Sequence, residues 1–232
     1  MADEASLILP SERFQALWQR CLTAPFDSMA INVIYEDLIA RYGEPIRHYH
    51  NSRHIRHCLN EFDRAAYLIE QPDTVELALW FHDAIYVVGA RDNEQRSADL
   101  FAKWAVPVLA PDQVATVNRF IMATRHRKPP DDDDARYVVD IDLSSFGLEW
   151  AAFINDTVNV RNEMIYIPDE LYYANHIGFL NGLLMRERIF YSDFFYNAYE
   201  HIARQNINRL LASPGYLEAM LQGSERKIKA EG

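Results

Sequence analysis

The sequence contains very little cysteine: Cys21 and Cys58 are its two cysteines among 232 residues. They are too far apart to form a C-x-x-C pair, which excludes the disulfide framework of a small secreted protein and a cysteine-rich zinc module. So few cysteines are typical of a reducing compartment. We therefore expect a cytoplasmic protein.

Basic residues are also in short supply. The chain has 23 Lys and Arg against 34 Asp and Glu, and its formal net charge is −11. An acidic surface repels the phosphates of nucleic acids and of anionic lipids, which argues against non-specific binding to either. An anionic substrate would therefore have to be held by a local group of cationic side chains.

Long apolar runs are missing as well. The runs at 77–81 and 84–88 are separated by His82 and Asp83, whereas a membrane-spanning helix needs about 20 apolar residues. The opening segment MADEASLILP has two acids and a short apolar run, unlike the basic start and longer apolar segment of a secretory signal. We expect a soluble protein without a targeting signal.

Helical periodicity is present along almost the whole chain. Apolar residues recur every three or four positions, for example at Phe14, Leu17, Trp18 and Cys21, and no alternation of strands with helices is visible. The pattern predicts helices over about 74–87, 93–105, 112–127, 149–164, 170–188 and 192–212. We expect an all-α fold: a single compact helical domain over residues 1–232, with its core at about 30–212 and flexible N- and C-terminal ends.

Two local signals refine this prediction. The segment Asp73-Thr-Val-Glu76 resembles a capping box, which predicts a helix start there. The low-complexity stretch KPPDDDD at 128–134 combines a proline pair with like charges that resist helix formation. It is predicted to be an exposed loop.

Four residues that are far apart in the sequence are the candidate metal ligands: His54, the adjacent pair His82 and Asp83, and Asp142. Each occupies a position where the apolar pattern predicts burial, and burying an unpaired carboxylate costs several kcal/mol, on the order of other buried charges. A cation between them would offset this cost. Two imidazoles and two carboxylates suit Mn²⁺, Fe²⁺, Zn²⁺ or Mg²⁺ and leave positions for water and substrate.

The motifs around these residues resemble those of the HD-domain superfamily of metal-dependent phosphohydrolases. They are YHNSRHI, ALWFHDAIY and VVDIDLSSFG, and the additional RDNEQRSA and TRH segments are similar to a bacterial subfamily of predicted HD phosphohydrolases with unassigned substrate. The resemblance covers roughly residues 30–212. It implies an all-α HD-domain bundle in which His54, His82, Asp83 and Asp142 are the metal ligands.

Neighbouring residues offer alternatives to two of these ligands. His54 is preferred to His50 and His57 because it shares a helical face with the apolar residues that follow it. The resemblance favours Asp142 over Asp140. The chain departs from some nucleotidases of the superfamily in having Tyr86 three residues after the His-Asp pair, where they have Glu.

The predicted activity is hydrolysis of a nucleotide or another small phosphate ester by a metal-activated water. Asp83 or Glu94, the nearest substitute for the missing Glu, would handle the proton, and His126 would contact the substrate phosphate or the water. The alternatives for His126 are a ligand of a second metal or a surface histidine. Arg125 and Arg161 are candidates for holding the phosphate, since a guanidinium is bidentate toward phosphate oxygens.

Other functions stay open at the level of sequence. Helical scaffolds of this type are reused, so a metal-dependent hydratase or oxygenase is one alternative, and a nucleotide-binding module without turnover is another. The aromatic stripe over 172–199 fits either a core or a contact between subunits of a homo-oligomer. We expect no nucleic-acid or membrane partner.

Overall fold

The computed structural model describes residues 9–216 and residue 218. Within them the chain forms α-helices and short 3-10 turns, and extended pairing is limited to an isolated bridge between Leu22 and Leu109. The prediction of an all-α fold is confirmed. In this part of the chain, no helix combines the length and the apolar content needed to cross a membrane.

The chain divides into two compact units, with the boundary between Asp142 and Leu143. The sequence carries no linker at this point because the boundary falls inside a helix. The expectation that residues 1–232 form one domain stays a prediction. The predicted flexible ends lie mostly outside the described residues, but Ser11–Cys21, which precedes the predicted core, is helical and contributes buried side chains.

The N-terminal unit is built from seven helices. They are α1 (Ser11–Cys21), α2 (Ser28–Tyr42), α3 (Ser52–Ala65), α4 (Pro72–Phe81), α5 (Asn93–Ala105), α6 (Pro111–Ala123) and α7 (Asp133–Leu143). Helix α4 is buried from Thr74 to Phe81 and packs against α1, α3, α5 and α6. A helix that is apolar on all sides belongs in a core, and α4 is the central element of this unit.

The start of α4 differs from its sequence prediction. Helix α4 begins at Pro72, whose missing N–H costs nothing at a first helical position, and no side chain caps it. The predicted capping box is therefore wrong. Glu76 accepts a hydrogen bond from Arg13 at 2.6 Å and Asp73 accepts one from Arg20 at 2.7 Å, so both acids tie α4 to α1 instead.

Two helices also end earlier than predicted. Helix α4 stops at Phe81, before His82 and Asp83, and α6 stops at Ala123. His126 has a φ of 54°, a left-handed conformation that an α-helix cannot continue through. Apolar periodicity did not indicate the end of α4, because apolar residues resume at Ala84 and continue to Val88.

The stretch 128–134 is only partly the exposed loop that its composition predicts. Helix α7 already begins at Asp133. Asp134 is 5% exposed, and its carboxylate accepts the backbone N–H groups of Glu70 and Gln71 at 3.0 and 2.7 Å. These bonds explain why this acid is buried while Asp131 remains in solvent.

In the C-terminal unit a 3-10 turn at Ser144–Gly147 precedes α8 (Trp150–Glu163), α9 (Asp169–Leu184) and α10 (Asp193–Leu211). The Asn206 side chain of α10 donates to the carbonyls of Phe146 and Leu148 at 2.9 and 2.8 Å. These two bonds fix the 3-10 turn against α10.

Gly147 lies between those two carbonyls, and any Cβ there would overlap Cβ and Cγ of Tyr199. We expect Gly147→Ala to lower the free energy of unfolding by about 1–3 kcal/mol, the usual cost of overpacking. Urea denaturation followed by circular dichroism measures this change.

Gly178 in the middle of α9 provides the matched control, because a Cβ there meets nothing within 4 Å. Gly178→Ala should raise the free energy of unfolding by about 0.4–1 kcal/mol, since alanine restricts the unfolded chain. Equal effects of the two substitutions would contradict the close packing of the turn on α10.

Candidate metal centre

Four side chains converge in the N-terminal unit, two of them from helices and two from the turn that follows α4. His54 comes from α3, His82 and Asp83 from the turn directly after α4, and Asp142 from the last turn of α7. Each has a ligand atom within 4.8 Å of those of the others. The two Nε2 atoms of His54 and His82 are 3.2 Å apart. Oδ2 of Asp83 lies 3.5 Å from Nε2 of His54 and 3.1 Å from Nε2 of His82. Oδ1 of Asp142 lies 3.2 Å from Nε2 of His54 and 3.5 Å from Nε2 of His82.

These separations match those of ligands around a single ion. For metal–ligand bonds of about 2.0–2.2 Å, neighbouring ligand atoms are about 2.8–3.1 Å apart at the right angles of an octahedral site and about 3.3–3.6 Å apart at tetrahedral angles. The observed values run from 3.1 to 3.5 Å. The four side chains therefore form a cluster that could bind a metal ion, and its donor set of two nitrogens and two carboxylates fits a divalent cation.

The local structure aims both imidazoles at the cluster. His54 lies on the buried face of α3, next to Ile55 and one turn before Cys58. His82 has its Nδ1 2.9 Å from the carbonyl of Leu79, which can only accept, so Nδ1 carries the proton. Nε2 is therefore the ring nitrogen that faces the other members of the cluster, as in metal-binding histidines generally.

Asp142 rather than Asp140 belongs to the cluster. Asp140 is fully buried on α7, but two residues along a helix correspond to a rotation of about 200°, so its side chain leaves α7 on the other side. The structure thus places the favoured alternative of the sequence analysis at the site. Its role as a ligand stays a prediction.

The two carboxylates of the cluster are ionised. Burial by itself would raise the pKa of Asp142, but hydrogen bonds from His126, His54 and His82 outweigh burial and hold that pKa well below its usual range. Burial likewise opposes ionisation of Asp83, and the charges of His82 and His50 lower its pKa nonetheless. The pKa of His82 is raised above its usual value because both carboxylates overcome its burial.

Arg47 holds the turn that carries the His-Asp pair. Its side chain is 1% exposed and donates to the carbonyls of Asp83 at 2.6 Å, Ala84 at 3.0 Å and His50 at 3.1 Å. Carbonyls at the end of a helix lack partners within that helix. The guanidinium of Arg47 binds two carbonyls in the turn just after α4 and joins this turn to His50, which lies before α3.

His126 contacts the cluster through Asp142. Its Nε2 donates to Oδ2 of Asp142 at 2.8 Å, while Oδ1 of the same carboxylate faces His54. The side chain is 11% exposed, so His126 is mostly shielded from solvent, and its role at the site stays a prediction. The left-handed backbone at His126 is the local feature that turns the ring toward α7.

The other predicted site residues lie outside the cluster of four. Arg125 and Glu94 face each other at 3.9 Å, and Arg125 also donates to the carbonyl of Arg91. In the C-terminal unit, Arg161 donates to the carbonyls at the α8–α9 turn and pairs with Asp169. These contacts account for Arg161 as a structural residue of that turn.

One neighbour of the cluster was missed by the sequence analysis. Cys58 places its Sγ 3.6 Å from Nε2 of His54, and its spacing of four residues from His54 is the signal that could have revealed it. Burial raises the pKa of its thiol well above the usual value. Tyr86, which occupies the position of the missing Glu, stacks on His50 with ring centroids 4.4 Å apart.

Comparison of the chain with protein-family models, curated proteins and solved structures found no match. The resemblance to HD-domain phosphohydrolases therefore rests on the sequence motifs alone and stays an expectation.

We expect Arg47→Lys to weaken binding of Mn²⁺ to the metal-free protein by about 10-fold to 100-fold, as removal of an outer partner of a metal site usually does. An ammonium cannot span the three carbonyls that the guanidinium joins. Isothermal titration calorimetry measures the affinity.

Arg41→Lys is the matched control, because Arg41 forms a partly exposed pair with Asp37 within α2. Its Mn²⁺ affinity should equal that of the parent. Parent-like affinity in a folded Arg47→Lys protein would show that the turn keeps its geometry without the guanidinium.

Proposed function

We propose that this protein is a metal-dependent phosphohydrolase acting on a nucleotide or another small phosphate ester. The observation that supports the proposal is the convergence of His54, His82, Asp83 and Asp142 at the separations of ligands around one ion. This nitrogen and oxygen set suits Mn²⁺, Fe²⁺, Zn²⁺ or Mg²⁺. Such an ion, when bound, would lower the pKa of a water and so make a hydroxide nucleophile available.

The protein's own residues orient the site and handle protons. In this proposal the two carboxylate oxygens of Asp142 have different partners. Oδ1 faces the histidines of the cluster and Oδ2 accepts a hydrogen bond from His126. His126 thereby holds the carboxylate in one orientation and keeps a proton beside the substrate phosphate. Asp83 provides the second ionised carboxylate of the set.

Arg125 is the proposed contact to the substrate phosphate. It precedes His126 directly, and its side chain is 25% exposed. At 3.9 Å its pair with Glu94 is long, so the guanidinium can turn to a phosphate with little loss, leaving the Glu94 carboxylate to accept a proton. A guanidinium binds phosphate oxygens in a bidentate manner.

Metal-dependent release of phosphate tests the proposal directly. Chelator-treated protein is reconstituted with each of the four candidate ions and supplied with a panel of nucleotides and simple phosphate esters. We expect release only with metal, and its loss in His82→Gln and Asp142→Asn. His48→Gln is the control, since this exposed side chain lies outside the cluster.

Three results would contradict the proposal in different ways. Release that persists without metal or in His82→Gln would place the chemistry elsewhere. Tight nucleotide binding without release would indicate a binding module. Turnover confined to substrates without phosphate would indicate a hydratase or an oxygenase.

His126 is tested separately with His126→Asn, because asparagine tolerates the left-handed backbone at this position. Loss of a general acid or phosphate contact should lower kcat by about 10²-fold to 10⁴-fold, while the metal content stays equal to that of the parent. Elemental analysis and kinetics on one preparation measure both. Loss of the metal would make His126 a ligand, and parent-like kcat would remove it from the mechanism.

A further inference from the structure

A buried thiol lies directly against one of the cluster's imidazoles. Cys58 follows His54 by one turn on the buried face of α3 and is fully buried. Its Sγ is 3.6 Å from Nε2 of His54 and 4.0 Å from Nδ1. Residues four apart on a helix are neighbours, so α3 alone holds the sulfur beside this ring.

The sulfur is also within reach of the second imidazole. His54, Cys58 and His82 each have a ligand atom within 4.8 Å of those of the other two, and all three side chains are buried. Zinc bonds of about 2.3 Å to sulfur and 2.0–2.1 Å to nitrogen place a tetrahedral sulfur–nitrogen pair about 3.6 Å apart and a nitrogen pair about 3.4 Å apart. The observed separations are 3.6 Å and 3.2 Å.

This set of three has a different metal preference from the set of four described above. Thiolate and imidazole select softer ions such as Zn²⁺ and Cd²⁺, whereas carboxylates favour Mg²⁺ and Mn²⁺. His54 and His82 belong to both sets. Because a nitrogen lone pair binds one ion at a time, an ion held by one set excludes an ion from the other.

We propose that His54, Cys58 and His82 form a soft ligand set that takes a thiophilic divalent ion in place of the ion held with Asp83 and Asp142. On binding, the S–H bond of Cys58 breaks, its proton passes to solvent and the sulfur bonds to the metal. The site thus has two alternative occupants, and thiophilic ions displace the harder one. This inference rests on the two shared histidines and goes beyond the proposed hydrolysis.

Cadmium is the probe, because a cadmium–thiolate bond has an ultraviolet charge-transfer band that nitrogen and oxygen ligands do not produce. Metal-free full-length protein is titrated with Cd²⁺ in the absence of substrate. We expect a band that saturates at one ion per chain and that decreases when Mn²⁺ is added in large excess.

Cys21→Ser is the matched control. Cys21 is also buried, but its Sγ accepts from Gln113 at 3.4 Å, and among the described residues no candidate metal cluster includes it. The band should persist in Cys21→Ser and disappear in Cys58→Ser. Cys58→Ala is a second variant in case the buried hydroxyl prevents folding, which circular dichroism detects.

The proposal is overturned if the parent shows no band, if the band survives in folded Cys58→Ser or Cys58→Ala, or if Cys21→Ser removes it. None of these measurements involves turnover. Absence of phosphate release would therefore leave the soft set intact, and absence of the band would leave the proposed hydrolysis intact.

Discussion

Two ionised carboxylates lie beside two buried imidazoles, and the N-terminal unit is arranged around this concentration of charge. Asp83 and Asp142 keep only 18% and 15% of their side chains exposed. Carboxylates removed from water are costly unless they are paired or bound to a metal. The imidazoles of His54 and His82 supply part of the compensation through close contacts, and a divalent cation between the four groups would supply the rest.

The surrounding structure holds these groups in place by satisfying backbone carbonyls and neighbouring acids. Arg47 joins the carbonyls that follow α4, and Arg13 ties Glu76 in the middle of α4 to α1. A buried guanidinium such as that of Arg47 is stable only when several acceptors surround it. Helix α4 is therefore fixed at its centre and at the end that carries the His-Asp pair.

The cluster and its close neighbours offer more candidate metal-ligand atoms than a single ion needs. Asp142 accepts a hydrogen bond from His126 with Oδ2 and faces His54 with Oδ1. Sγ of Cys58, on the same helix as His54, lies 3.6 Å from Nε2 of His54. A hard ion would use the carboxylates and a thiophilic ion the sulfur. Both the proposed hydrolysis and the proposed soft set thus depend on the same two histidines.

The sequence by itself determined the all-α class and the four residues of the cluster. Helical periodicity is a local property, so it marked helices such as Asn93–Ala105 correctly. Only the tertiary structure decided where helices end, as at Phe81 and before His126, because those ends depend on partners distant in sequence. In the folded protein Glu76, predicted to be part of a helix capping box, instead accepts a hydrogen bond from Arg13. The tertiary structure also decided that Cys58 is a candidate ligand. Cys58 and His54 share a face of α3, and folding brings His82, which follows α4, to that face.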